Sequence, residues 1–232
     1  MGHKHWNAMM TDATPPNRCR IVLIAPAGET PADFESRLRQ AIAGGDIASL
    51  ILPAYDRDEA AFQAFAARIV PVAQAAGIAA IIAEDTRIAG RVGADGIHLE
   101  CAREELEEAI ERHQAKMMVG AGGAKTRDDA LELGEARPDY MFFGRFGYDT
   151  KPEPHNRNLA LGRWWAEMIE IPCIVMAGSD IASVEVVAAT GADFVALSSA
   201  VFGDGVDPEQ AIARANAILD DTAPRFDFRA SE

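Results

Sequence analysis

Two short glycine- and serine-bearing runs, Met176-Ala177-Gly178-Ser179 and Leu197-Ser198-Ser199-Ala200, hold the chemistry that stands out in this chain. Gly178 allows a backbone to approach a ligand closely. Ser179, Ser198 and Ser199 add hydroxyl and N–H donors, which is the equipment of a phosphate cup. The stretch Asp149-Thr150-Lys151-Pro152 adds a cation on a loop. Closing it over a bound anion would expel water and strengthen the contact. Glu84-Asp85 supplies adjacent carboxylates, and Mg²⁺ takes one or two carboxylates together with substrate phosphates and waters. Asp85 precedes Thr86 as a helix N-cap would, which leaves Glu84 as the candidate metal ligand. His98 is a lone imidazole in an apolar run, read first as a hydrogen-bonded interior residue and second as an acid–base group. Arg145 is a candidate anion clamp, and Gly122-Gly123 is a further point of close backbone approach. The set points to a small phosphorylated substrate.

These residues become neighbours only if particular elements place them. Short apolar runs are expected as strands at Arg20–Ala25, Ser49–Leu52, Ala79–Ala83, Gly96–Leu99, Met117–Gly120, Tyr140–Gly144, Cys173–Met176 and Phe194–Ser198. Each is apolar on both faces, as strands of a buried parallel sheet are. Helical periods fill the intervals, at Ala32–Ala43, Asp58–Ala76, Thr86–Val92, Arg103–His113, Arg127–Ala136, Leu161–Ile169, Ile181–Thr190 and Asp207–Leu219. Eight strands alternating with eight helices predict a single-domain (β/α)8 TIM barrel. A doubly wound open sheet is the alternative, but no Gly-x-Gly-x-x-Gly turn follows the first strand and no Walker loop is present.

A weak repeat agrees with the barrel. Asp46, Asp95, Asp139 and Asp193 recur at intervals of 49, 44 and 54 residues, each just before a strand, and three follow a glycine turn. Glycine suits a left-handed helix end and aspartate a tight turn. Every candidate residue then falls at or just beyond the C-terminal end of a strand, where barrels bind and react. The longest irregular stretch, Phe146–Ala160, carries Thr150 and Lys151. Connections of that length in compact domains are commonly functional.

Composition narrows the partners. The 232 residues are 49% hydrophobic, and 22 basic against 36 acidic side chains leave a charge of −14. That argues against a general nucleic-acid binder or an anionic membrane surface, since phosphate neutralisation needs clustered Lys and Arg. No apolar run reaches the ~20 residues of a membrane span. No secretory leader pattern opens the chain, and Cys19, Cys101 and Cys173 are too scattered for a disulfide scaffold or metal cluster. A reducing cytoplasm is the expected setting. The chain divides into a flexible lead-in over 1–18, a barrel over 19–220 and a tail over 221–232. A homodimer through exposed barrel helices is possible.

The most specific pieces are Gly93-Ala94-Asp95-Gly96-Ile97-His98-Leu99, the stretch from Asp139-Tyr140 through Gly144 to Asp149-Thr150-Lys151-Pro152, and Gly191-Ala192-Asp193-Phe194-Val195-Ala196-Leu197-Ser198-Ser199-Ala200. In this order and spacing they resemble the thiamine phosphate synthase family, which includes thiazole tautomerases, over about Arg20 to Leu219. The resemblance implies a transferase of thiamine biosynthesis that joins a pyrimidine diphosphate to a thiazole phosphate and releases pyrophosphate. It implies a thiazole-phosphate cup at Ala177-Gly178 and Ser198-Ser199, a diphosphate contact at Thr150 and Lys151, and Mg²⁺ at Glu84.

Other positions depart from the family pattern. Leu50-Ile51-Leu52-Pro53-Ala54 stands where the family has Gln-x-Arg-x-Lys, Gly122 stands where it has Ser, and the second metal carboxylate is out of register. Arg145 could bring a compensating cation. Two alternatives follow: a non-catalytic binder of thiazole phosphate or thiamine phosphate, and an isomerase or tautomerase of a small phosphorylated heterocycle or sugar using His98 and Arg145.

Overall fold

The computed structural model describes residues 15–226. Most of the expected lead-in and part of the tail lie outside the described residues. Eight strands, β1 (Arg20–Ile24), β2 (Ser49–Leu52), β3 (Ala79–Ala83), β4 (Gly96–Leu99), β5 (Met118–Ala121), β6 (Tyr140–Phe143), β7 (Cys173–Met176) and β8 (Phe194–Leu197), pair in chain order. They close into one parallel barrel, with β8 returning to β1. The helices are α1 (Pro31–Ala43), α2 (Glu59–Ala75), α3 (Thr86–Val92), α4 (Arg103–His113), α5 (Arg127–Glu135), α6 (Asn156–Met168), α7 (Ser183–Ala188), α8 (Ser199–Phe202) and α9 (Pro208–Thr222). The chain is therefore a (β/α)8 TIM barrel.

Strand alternation splits the apolar residues between two cores. Leu23, Leu50, Leu52, Ile82 and Ile97 point outward and pack under the helices with Phe34, Phe65 and Trp165. Val22, Ile24, Ile51, Ile81, Ile174 and Met176 point inward and fill the barrel with Tyr140 and Phe142. Apolar side chains on both faces are what a closed, helix-covered parallel sheet requires. The interior is shaped by one glycine in particular. A Cβ on Gly120 would fall inside the Tyr140 ring, so the missing side chain on β5 is the seat of the aromatic on β6.

The repeated aspartates stitch the lower rim. Asp95 accepts from the Ala80 N–H at 2.8 Å, Asp139 from Val119 at 2.7 Å and Asp193 from Cys173 at 2.8 Å. Each thus clamps an N–H of the preceding strand. Asp46 instead pairs with the Arg20 guanidinium of β1. The turns differ from a uniform glycine expectation. Gly93 and Gly191 do have positive φ (66° and 85°), but Arg137 takes the left-handed position before Asp139 (φ 59°). Gly44 has negative φ (−76°) and is needed because a Cβ there would strike the Glu209 carbonyl.

Helix starts follow their caps. Asp58, Asp85 and Asp207 each accept from main-chain N–H groups of the first turn, and Thr126 with Asp129 forms a capping box. The expected irregular stretch over Phe146–Ala160 ends early, because α6 begins at Asn156. His155 is its N-cap, with Nδ1 accepting from the Arg157 N–H at 3.2 Å. Histidine is not among the usual capping residues, so the spacing of polar groups did not announce that start. β5 lies one residue later than expected: its doubly apolar pattern does not specify register. α9 continues to Thr222, and Arg18 is buried beneath it, bonding Asp220 at 2.7 Å and Asn216 at 3.1 Å.

Candidate functional site

The serine and glycine residues stand at the ends of β7 and β8, and their main-chain donors are engaged within the chain. The Gly178 N–H donates to Ser183 Oγ at 3.1 Å, and Ser179 N–H to the Lys151 carbonyl at 2.7 Å. The Asp180 N–H reaches the Pro152 carbonyl at 3.3 Å. The Ser199 N–H donates to Asp149 Oδ2 at 2.6 Å. Asp149 is buried, at 5% exposure. A Cβ on Gly178 would collide with the main chain of Pro152, so the close approach that glycine permits here is made by the loop after β6. Ser198 is buried at the end of β8, and its carbonyl accepts the Val201 and Phe202 N–H groups that begin α8. Thr150 and the Lys151 side chain remain exposed on the outside of that loop.

The ends of β3 to β6 are built from side chains. Glu84 adopts the left-handed region (φ 65°), uncommon for a residue with a long side chain. Its Oε1 accepts from the Glu100 N–H at 2.7 Å. Desolvation raises both carboxyl pKa values above the ordinary range. Glu84 adds a further upward push on Glu100, which Arg145 and Lys125 oppose. Asp85 caps α3 through the Arg87 and Ile88 N–H groups, leaving Glu84 as the outward carboxylate. Arg145 is exposed, with its guanidinium stacked 3.9 Å above the Tyr148 ring. Among the described residues no three His, Cys, Asp or Glu side chains converge as a metal cluster. A site with two carboxylates and a substrate phosphate does not need a third.

His98 is wholly buried within the barrel, and burial lowers its pKa to about 3, so the ring is neutral. Nδ1 lies 3.1 Å from the Tyr140 hydroxyl, and the two rings stack 5.7 Å apart at 10°. Phe142 and Phe146 meet His98 edge-on. Nε2 has no hydrogen-bond partner among the described residues and faces Gly122, where a Cβ would stand only 2.8 Å away. Gly122 is thus required by the imidazole beside it. Glu100 Cγ would lie 3.4 Å from the same point, which brings His98, Gly122 and the acidic pair to one side of the mouth.

The β1–β2 side is apolar and closed. Leu50, Ile51 and Leu52 are fully buried, and Tyr55 folds back (φ 49°) to donate its hydroxyl to the Ala25 carbonyl at 3.0 Å. Burial, reinforced by the Asp149 charge, lifts the Tyr55 phenol pKa to about 12. Arg57 is committed to structure: it donates to the Glu29 carbonyl at 2.9 Å and stacks 4.1 Å over Phe65. Arg37 pairs with the Glu29 carboxylate. Asp149, Tyr55 and Tyr140 received no role from spacing alone. Asp149 adjoins Thr150 in a candidate motif, and Tyr140 alternates with Phe142 on the inward face of β6, yet neither signal names its partner.

The family model described as thiamine monophosphate synthase matches residues 21–201. The thiamine-phosphate synthase of Rhodospirillum centenum is 30% identical over 202 residues, covering 87% of this chain and 98% of that protein. That of Hyphomonas neptunium is 30% identical over 222 residues, covering 92% and 100%. Among solved structures, thiamine phosphate pyrophosphorylase from Pyrococcus furiosus superposes with a TM-score of 0.73 at 20% identity, over 90% of this chain and 98% of the other. A 3-hexulose-6-phosphate synthase superposes at 0.65 with 18% identity, over 85% and 99%. No helix among the described residues is long and apolar enough to cross a membrane.

Proposed function

This chain belongs to the thiamine monophosphate synthase family, a family of thiamine biosynthesis, and from that premise we propose that it joins a pyrimidine diphosphate to a thiazole phosphate with release of pyrophosphate. The observation that carries the reading is the convergence of Gly178, Ser179, Ser198 and Ser199 under the loop bearing Thr150 and Lys151. The serine hydroxyls there suit the thiazole phosphate, and the Ser179 and Ser199 N–H groups would join them once released from the Lys151 carbonyl and the Asp149 carboxylate. Lys151 and Thr150, exposed on the loop, would meet the diphosphate. Arg145 would supply a second cation from the end of β6. Such groups act by stabilising the charge that builds on the departing pyrophosphate, commonly several kcal/mol for each well-placed cation.

Glu84 and Glu100 are the residues that would hold Mg²⁺. Their adjacency, like charge and partial desolvation suit a hard cation completed by phosphate and water. When bound, the metal would neutralise diphosphate charge. His98 and Gly122 shape the floor beside them, His98 as a neutral ring packed among aromatics rather than as a proton carrier. We place the reaction in the cytoplasm, where its phosphorylated substrates are retained.

A second reading, a non-catalytic binder of thiazole phosphate or thiamine phosphate, is favoured by one feature: the buried apolar end of β2, closed by Tyr55, offers no cation to a diphosphate. The isomerase or tautomerase reading is not favoured by the burial of His98, which is packed against Tyr140, Phe142 and Phe146 inside the barrel. The test is incubation with pyrimidine diphosphate, thiazole phosphate and Mg²⁺, following pyrophosphate release and thermal shifts for each ligand. Turnover supports the synthase. Stabilisation by thiazole phosphate without turnover supports the binder, and no response to any ligand removes both.

A further inference from the structure

The closure of the β7–β8 end has a specific chemical form. Asp149 places a carboxylate oxygen 2.6 Å from the Ser199 N–H, a short charge-assisted bond held at 5% exposure. Two residues on, the Lys151 carbonyl takes the Ser179 N–H at 2.7 Å, and the Pro152 carbonyl takes that of Asp180 at 3.3 Å. The same main chain lies where a Cβ on Gly178 would have to be. One loop thus supplies three acceptors, one of them an anion, to the donors and the glycine gap that a phosphate would use. A main-chain N–H has a single hydrogen to give, so loop and ligand cannot both take it in full.

We infer that Asp149 is a resident anion of the phosphate cup and the residue that sets its selectivity, so that a phosphorylated ligand binds there only in exchange for the loop segment 149–152. The inference rests on reading this end as a phosphate cup. The apparent affinity is then the intrinsic affinity reduced by the fraction of molecules with the loop released. A weakly acidic or neutral ligand gains little from displacing a carboxylate that is already well bonded. A phosphate, with more acceptor oxygens and more charge, gains enough to compete. The exchange also moves Lys151 from a position pinned by its own carbonyl to one free to follow the ligand.

The test uses the full chain as wild type, Asp149→Asn and Asp149→Ala, with inorganic phosphate and thiazole phosphate titrated by calorimetry and amide exchange read at Ser179 and Ser199. Circular dichroism checks that each variant is folded, and Asp149→Asn keeps the shape should the alanine variant fail. The expected result is about tenfold tighter phosphate binding in Asp149→Ala, with a smaller gain in Asp149→Asn, matching loss of a hydrogen bond to a charged group. The Ser199 amide should exchange faster in the ligand-free variants. Phosphate binding that is no tighter in Asp149→Ala than in wild type overturns the inference while leaving the cup in place. Unchanged Ser199 exchange in Asp149→Ala overturns it as well. Absence of phosphate binding in all three chains removes the cup itself, and the inference with it.

Discussion

The two sides of the barrel mouth are made of different materials. Beneath β7 and β8 the functional groups are main-chain N–H donors, and each that has been described is satisfied inside the chain. At β3 to β5 they are side chains: a pair of carboxylates with raised pKa values and an imidazole whose buried Nε2 has no partner among the described residues. One side is a finished network, which under the exchange proposed above would open to receive a ligand. The other holds two partly desolvated carboxylates and, among the described residues, one unpartnered ring nitrogen. On the proposed reading, an acidic chain would meet phosphate with main-chain dipoles and a few loop cations rather than with a basic patch.

The largest expected effect concerns the loop side. Lys151→Ala should reduce pyrophosphate release about 100-fold, the usual order for removing one group that stabilises developing charge, with circular dichroism unchanged. If turnover persists in that variant and vanishes in Glu84→Gln, the working side is β3 to β5.

Acid stability should separate the two sides next. His98 has a folded pKa near 3 against about 6.5 when unfolded. A depressed pKa contributes stability that is complete above the unfolded value and is lost as pH falls from about 6.5 toward 3. Denaturant midpoints at pH 7 and pH 5 should therefore fall more in wild type than in His98→Asn. Equal losses would mean that the ring is not held neutral.

Smaller effects compare single hydrogen bonds. Tyr140→Phe leaves His98 Nδ1 without its partner and should cost about 1–3 kcal/mol in unfolding free energy. Ser183→Ala removes the acceptor of the Gly178 N–H on the opposite side and should cost about 1 kcal/mol. A reversed order would place the tighter network at β3 to β5's expense. The smallest effect is electrostatic. Glu84 and Glu100 have raised folded pKa values, so their contribution is fully present below the unfolded carboxylate range and is lost as pH rises through the folded values. Glu100→Gln should raise the melting temperature at pH 7, and the gain should shrink in acid. No gain at pH 7 would show that the pair does not repel.

Local signals carried much of the fold. Doubly apolar runs between helical periods defined eight strands within a residue or two, and Asp85 capped its helix as its place before Thr86 implied. The aspartate repeat marked turns that do stitch strands. It did not reveal that Asp46 would choose Arg20, because that choice depends on a side chain 26 residues away. The start of α6 stayed hidden behind an unusual histidine cap.

For the site, sequence alone determined which residues stand at strand ends, since strand period and turn chemistry are local properties of the chain. Gly178, Ser179, Ser198 and Ser199 were legible on that basis, as was the apolar end of β2. Tertiary structure decided what each one faces. Asp149 and Ser199 are 50 residues apart yet share a hydrogen bond, and Gly120 and Gly122 make sense only once Tyr140 and His98 lie against them. The physical reason is that a donor's availability, a carboxylate's desolvation and a glycine's gap all belong to pairs of groups. Closing the barrel creates those pairs, and no single segment encodes them.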